Sequence, residues 1–322
     1  MRLFDKRVVG IDFDSSQIRF VELKGAPGEP DIQNAGSVIL PEDTVKEGKI
    51  NNEENMKFSL NELWSKYKIK TKNVILGISN SDIIMRFINI PKVPIDKISS
   101  IIKFQASDYM PVNIDEFELD YELIGKDAKE MNSEYNNSEY NNSEYNILLV
   151  AARKKMLYEC INVFNSAGLA VRDIKSSTLV MDKLVPENFK NSISAFANIS
   201  SEVCNILIVN EGNVKFARTV ILRESISTVG YIDYITEEIR SSIGYFISQN
   251  RDLQVSNVFL LGYNDVIERL YNSLNDNIYA NIEILKPYEI LYKQYSLRKN
   301  YNYNPAEYAI AFSLALHGLE AG

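Results

Sequence analysis

The apolar positions of this chain fall into short runs and one-sided stripes, not long spans. Val8-Val9-Gly10-Ile11 is a compact apolar run. Ile18 to Leu23 alternates, with Ile18, Phe20 and Glu22 on one side and Arg19, Val21 and Leu23 on the other. Between the two runs lies Asp12-Phe13-Asp14-Ser15-Ser16-Gln17, so the segment reads as strand, tight polar turn, strand. The same order returns later. Ser194 to Val209 aligns with Val8 to Leu23 without a gap, placing Asn198 under Asp12, Ser201 under Ser15, and Ile206–Val209 under Phe20–Leu23. Two strand-turn-strand units half a chain apart predict two related lobes, each offering a polar turn to a shared cleft. This is a distant duplication, not a short-period array.

The remaining pattern alternates strands with helices. Leu60, Leu63, Trp64 and Tyr67 follow the i, i+3, i+4, i+7 spacing of an amphipathic helix over 53–67, with Trp64 expected as a core anchor. Gly25 to Pro30 reads as a loop, and 32–40, 74–79 and 83–90 read as strands. Pro91, Pro94 and Pro111 bracket a helix over 95–105, and a strand follows at 117–124; this stretch reads as a small α+β insertion. Strands are expected at 147–152 and 169–174 and helices at 157–164 and 176–184. Ile232, Ile235, Ile239, Ile243 and Phe246 mark one long helix. Val258–Leu261 is a buried strand that breaks at Gly262 into a helix through Val266, Ile267 and Leu270. From Pro305 to Leu319 runs a helix apolar nearly all round, which belongs between lobes or under a sheet. Residues 132–146 repeat Asn-Ser-Glu-Tyr-Asn three times, too polar to bury a core, and read as a mobile loop.

Composition narrows the chemistry. The length of 322 residues suggests about two domains. A net charge of -8 argues against a nucleic-acid binder, which needs a basic face. Cys160 and Cys204 sit in apolar patterns and read as buried free thiols. One histidine, His317, leaves no zinc constellation and no hydrolase triad unless it serves one; beside Gly318 it reads as a helix C-terminal residue. No apolar run is long enough to span a membrane, and Met1–Arg7 leads into no secretory apolar segment, so a cytoplasmic location is expected.

The first turn could offer backbone N–H groups and hydroxyls to a phosphate, and carboxylates to Mg²⁺ through water. Asp and Ser also stabilise turns by bonding their own backbone, with no ligand involved. The Gly262 corner, a strand ending at a helix N-terminus, is open to the same two readings.

The order of hairpin, connecting helices, second hairpin, long helix, strand-glycine corner and terminal apolar helix resembles the actin-like ATPase superfamily. Within it the chain is similar to the PilM family of type IV pilus assembly proteins. The supporting stretches are Gly10–Arg19, Arg86–Pro91, Phe104–Pro111 with Leu119–Tyr121, Leu148–Lys154, Ala167–Leu169, Glu238–Ser242, Leu260–Gly262 and Pro305 to Leu316. The resemblance implies an α/β, two-lobed actin-like ATPase fold with ribonuclease H-like lobes and a small α+β insertion in the first. The expected bounds are 1–190 for the first lobe (insertion about 82–152), 191–304 for the second, and 305–322 for a helix returning to the first.

The same resemblance implies ATP and Mg²⁺ between the lobes. Asp12 would orient a metal-bound water, and Asp14, Ser15, Ser16 and Gln17 would form the first phosphate turn. Asn198, Ser200 and Ser201 would form the second. Glu238, Arg240 and Ser241 would lie along ribose and adenine, and Gly262, Tyr263 and Asn264 would approach the adenosine. Four departures stand out. The family usually has Gly at Asp14 and Ser200, Asp at Asn198, and a Gly pair at Gly262-Tyr263. Asp14 adds negative charge beside a triphosphate, and Asn198 removes a carboxylate from the metal's surroundings. Little or no ATP hydrolysis is expected.

As partner, the resemblance implies the N-terminal cytoplasmic tail of a PilN-like membrane protein, with the pilus assembly motor ATPase as a further candidate. Ile84, Phe87, Ile101 and Phe104 are the groove candidates, although apolar periodicity alone cannot separate a groove from a core. The alternatives are a small-molecule kinase of the same superfamily, an FtsA-like division protein, and a type II secretion platform protein. The kinase lacks a recognisable loop carrying a catalytic Asp. The other two are expected to continue into a membrane-binding or membrane-spanning helix beyond the pattern seen here.

Overall fold

A computed structural model describes residues 6–26, 29–110, 113–124, 144–223, 228–286 and 305–321. The chain divides into two compact units: Met1–Asn80 with Cys160–Gly322, and Ser81–Glu159.

In the first unit, β1 (Arg7–Phe13), β2 (Gln17–Ala26) and β3 (Glu29–Ile39) form an antiparallel meander. A short hairpin, β4 (Val45–Lys46) and β5 (Lys49–Ile50), precedes α1 (Glu53–Tyr67) and β6 (Asn73–Ile78). The second unit contains β7 (Ile83–Pro91), α2 (Ile95–Tyr109), β8 (Phe117–Leu123) and β9 (Glu144–Arg153). After α3 (Lys154–Ser166), β10 (Ala170–Ser176) completes a first sheet of order β10-β6-β1-β2-β3.

The second sheet repeats that plan. It contains β11 (Ser194–Ile199), β12 (Val203–Asn210) and β13 (Asn213–Ile221), then α4 (Tyr231–Gln249), β14 (Asn257–Gly262), α5 (Asn264–Asn277) and β15 (Asn281–Ile284). Its order is β13-β12-β11-β14-β15. In both sheets the first three strands are antiparallel and the last two join in parallel. The register matches too: Asp12 pairs with Arg19 in one hairpin and Asn198 with Asn205 in the other. Even the turn closure is shared, Asp14 N–H donating to Gln17 O at 3.1 Å and Ser200 N–H to Val203 O at 2.9 Å.

Both hairpins read as near-continuous apolar runs because their strands are covered on both faces. Ala195, Ala197 and Ile199 pack with Ile235, Ile239, Ile243 and Phe246 of α4 and with Val266 and Leu270 of α5. On the other face, Phe196 stacks with Phe259, which meets Phe189 edge-on. In the first sheet, Phe20 meets Tyr67 of α1 edge-on. The opposite face takes α6 (Ala309–Glu320), the C-terminal helix, which packs on β1, β2 and β6. That contact is close enough to demand glycine. A Cβ on Gly10 would lie 1.9 Å from Ala311 O, and one on Gly318 would lie 2.5 Å from side-chain carbons of Ile75 and Val8.

Several expectations change. Gly318 lies inside α6, where it allows close packing; it does not end the helix, and the His317 ring instead meets the Asp173 carboxylate at 3.1 Å. The helix expected over 176–184 is a 3₁₀ segment, Leu179–Leu184, because β10 stays extended through Ser176 to pair with Ile78 of β6. Strands β2 and β3 extend into the loop expected over 25–30, Ala26 pairing with Glu29. Trp64 is half-buried, and its indole N–H donates to Thr71 O at 2.9 Å. Strands β4, β5 and β15 went unread. The Asn-rich repeat lies outside the described residues except for Glu144–Asn146, which open β9. Cys160 and Cys204 are buried free thiols, and burial pushes the Cys204 thiol up to about 12.

In the second unit, Ile98, Ile102 and Ala106 of α2 pack on Ile88, Ile90, Ile147, Leu149 and Ala151 of the sheet β7-β9-β8.

Two glycine substitutions separate tight packing from open surface. Gly10→Ala forces α6 off the sheet and is expected to lower unfolding free energy by about 3 kcal/mol or more. Gly244→Ala, in α4 with nothing within 4 Å of the added carbon, is expected to raise it by about 0.5–1 kcal/mol. Urea denaturation of both variants checks the pair.

Candidate functional site

The two polar turns face each other across the lobes of the first unit. Ser15 and Ser201, which occupy equivalent places in the two hairpins, meet Oγ to Oγ at 2.6 Å. Around them lies a cavity of about 10 Å³, lined by Asp12, Phe13, Asp14, Ser15, Gly48, Ser79, Asn198, Ser200, Glu202, Val203 and Asn205. That is room for about one water.

The charges are buried and mutually satisfied. Arg19, on β2 opposite Asp12, places one guanidinium nitrogen 2.8 Å from Asp12 Oδ2 and 2.7 Å from Asp14 Oδ2. Its guanidinium also lies 5.5 Å from the centre of the Tyr263 ring. Asp12 Oδ1 accepts from Ser177 Oγ at 3.3 Å. Asp14 is the most heavily committed group. Its Oδ1 accepts from Ser16 N–H and Ser16 Oγ, both at 2.8 Å, and from Gln17 N–H at 3.1 Å. Its Oδ2 accepts from Tyr263 Oη at 2.8 Å, and Tyr263 Oη also contacts Ser16 Oγ.

Burial and the Asp14 charge hold the Asp12 carboxyl above its ordinary value against the pull of Arg19. Burial pushes Asp14 up as well, but Arg19 and the donors of Ser16 and Tyr263 outweigh it, so its carboxyl lies below the usual range. Burial and the adjacent Asp14 carboxylate push the Tyr263 phenol up to about 12 despite Arg19, so it stays a donor.

A second polar cluster repeats the theme. Asn205, at the place Arg19 holds in the first hairpin, accepts through Oδ1 from Ser79, Thr178 and Thr219 at 2.7, 2.9 and 3.1 Å. The Glu202 carboxylate accepts from Glu47 N–H at 2.6 Å. Gly262 ends β14 at φ 109, where a Cβ would lie 1.9 Å from Ile199 O; this backbone directs Tyr263 into the first lobe's turn.

The structure thus brings together Asp12, Asp14, Ser15, Ser16, Gln17, Asn198, Ser200, Ser201 and, through its side chain, Tyr263. Glu238, Arg240 and Ser241 do not line the cavity. On α4, Glu238 pairs with Arg218 at 3.0 Å, and Glu237 takes Arg240 and Ser241 at 2.9 and 3.0 Å. Asn264 N–H donates to Glu307. Among the groove candidates, Ile84 packs against the core beneath α2, Ile101 is half-buried, and Phe104 is 86 % exposed. Phe87, 43 % exposed, lies on the other sheet face by strand alternation from buried Ile88 and Ile90. The four do not form one surface. Sequence reasoning missed Arg19, Ser79, Ser177, Thr178, Glu202 and Asn205. Only Arg19 carried a signal, a lone cation in an apolar strand at the cross-strand place of an Asp.

A family model described as type IV pilus assembly protein PilM matches residues 10–222. The chain belongs to this family. A solved structure described as the PilM-PilN type IV pilus biogenesis complex is similar at 20% identity, covering 98% of this chain and 99% of that one with TM-score 0.80. The cytoplasmic domain of EpsL, an inner membrane component of the Vibrio cholerae type II secretion system, is similar at 11% identity, covering 98% and 95% with TM-score 0.50. These likenesses concern the fold, which is the two-lobed actin-like one. No helix among the described residues is long and apolar enough to cross a membrane.

For a PilM-family chain the Mg²⁺-nucleotide expected in the cleft must be tested against the residues present. They do not fit it. Three carboxylates and no Lys or Arg among the described residues line the cavity, which repels a triphosphate, and the adjacent Arg19 is spent on two of the three.

Two measurements test this charge arrangement. Arg19→Ala strands two buried carboxylates and is expected to cost about 3–5 kcal/mol at pH 7. For Asp14 the folded carboxyl titrates below the ordinary 3.8, so its stabilisation is complete above that value and is lost as pH falls through the folded-state value. The groups facing it are Asp12 on β1, Arg19 on β2 and Tyr263 before α5. The stability gap between wild type and Asp14→Asn should hold from neutral pH down to near 3.8 and close below it. Denaturant titrations across that range check this. A gap that widens on acidification contradicts it.

Proposed function

We propose that this chain is a scaffold of the type IV pilus assembly platform. It docks the N-terminal cytoplasmic tail of a PilN-like membrane protein and is thereby held at the inner face of the cell membrane. Membership of the PilM family carries this reading, and the second unit supports it with an apolar place exposed among the described residues. On α2, the stripe Ile98, Ile102, Ala106 is consumed by the sheet, while Phe104 projects at 86 % exposure one turn from half-buried Ile101. Exposed large apolar side chains on a small unit mark an interaction surface more readily than they serve stability. Of the four groove candidates, Ile101 and Phe104 anchor the tail in this proposal.

Nucleotide does not enter this reading, because the cleft residues do not fit it. A kinase reading meets the same obstacle, since three carboxylates and no Lys or Arg among the described residues line the place a phosphoryl donor would take. The pilus assembly motor ATPase remains a further partner in the proposal, with no surface assigned.

Titrating a synthetic peptide of the cognate PilN cytoplasmic segment into the protein tests the docking. Phe104→Asp is expected to weaken binding at least about tenfold, the scale of losing one anchor side chain. Its circular dichroism and melting temperature should be unchanged, because Phe104 supports no core. Undiminished binding by both Phe104→Asp and Ile101→Asp would remove α2 as the docking face.

A further inference from the structure

The lobe contacts carry an inference that involves no residue of the second unit and is independent of tail docking. Asp14 Oδ1 takes Ser16 N–H, Ser16 Oγ–H and Gln17 N–H, while Oδ2 takes Arg19 and Tyr263 Oη. Two backbone amides, a hydroxyl, a guanidinium and a phenol converging on one oxyanion form the donor set that binds a phosphoryl group. Here the anion is part of the chain. We propose that Asp14 is a built-in substitute for a phosphate, and that it holds a polyphosphate-type anion site shut by filling the first turn and drawing Tyr263 across from the second lobe.

The equivalent second turn shows the difference. Ser200, at the place of Asp14, has no carboxylate, and its Oγ donates back to Val203 O at 3.0 Å. The first turn alone is therefore self-occupied. Ser15 and Ser201, joined at 2.6 Å, close what remains of the passage. A polyphosphate entering wild-type protein must expel a buried carboxylate from five donors and break these cross-lobe bonds. It would gain no cation, because Arg19 also holds Asp12. Removing the Asp14 carboxylate leaves the same donors in place, with one guanidinium N–H released.

Binding of inorganic pyrophosphate and of Mg²⁺-ATP is measured by calorimetry and by shift of melting temperature. Wild type is expected to show neither saturable heat nor a shift at about 5 mM of either. Asp14→Ala combined with Tyr263→Ala is expected to bind pyrophosphate with a Kd below about 1 mM. Asp14→Ala alone empties the turn and keeps the Tyr263 ring. It guards against misfolding of the double variant and is expected to bind pyrophosphate with a Kd below about 5 mM. Saturable binding by wild type overturns the proposal. So does a folded Asp14→Ala, or a folded double variant, as silent as wild type. Loss of tail-peptide binding with this pattern intact would fault only the docking surface.

Discussion

The Arg19 guanidinium between the Asp12 and Asp14 carboxylates is the interaction on which the rest of the first unit depends. All three groups are buried, and each carboxylate would be costly alone. Arg19 sits where the hairpin register puts it, directly across from Asp12, so the pair is made within one turn of chain. Asp14 then bends the turn around itself by accepting from Ser16 and Gln17, and its second oxygen reaches Tyr263 of the other lobe. A local charge pair in one hairpin thus becomes the fastening between two sheets. Replacing such a buried network by apolar residues is often neutral for stability, so its value here lies in fixing which residues of the lobes face each other.

Much of the fold was legible because the duplicated hairpins carry two signals at once: continuous apolar strands and a polar turn at constant spacing. The gapless match of Val8–Leu23 with Ser194–Val209 corresponds to strands in the same register, with equivalent turn bonds. The long helix through Ile235, Ile239 and Ile243 and the apolar terminal helix were legible for the ordinary reason that their stripes face a core. Strands of two to four residues such as β4, β5 and β15 leave too few positions for any period to register. The 3₁₀ segment Leu179–Leu184 was misread because helical spacing over six residues does not reveal that its start is claimed by strand pairing.

The site was legible in part, and for a different physical reason. Asp12, Asp14, Ser15 and Ser201 were found because acids and hydroxyls in a turn between apolar strands stand out locally. Arg19 and Asn205 were missed because their meaning is relational. Each lies mid-strand, and only register and the approach of the second lobe turn them into partners of Asp14, Ser79 and Thr178. Tyr263 was expected near an adenosine; its hydroxyl and ring reach the first turn, a contact the sequence does not announce. The family resemblance pointed to the two turns that the structure brings together. The departures at Asp14 and Tyr263 then proved to be one feature, since the two side chains bond to each other.

The position of α6 in chain order has a consequence for how the protein is made. The first sheet is built from residues translated early, yet among the described residues the face carrying Val8, Gly10 and Ile75 is covered by Ala309–Glu320. While the second lobe emerges from the ribosome, that face has no cover of its own, and it is apolar and indented at glycine to receive a helix. The lobe synthesised first is therefore finished last. A nascent chain stalled before residue 309 presents that groove to whatever chaperone attends it.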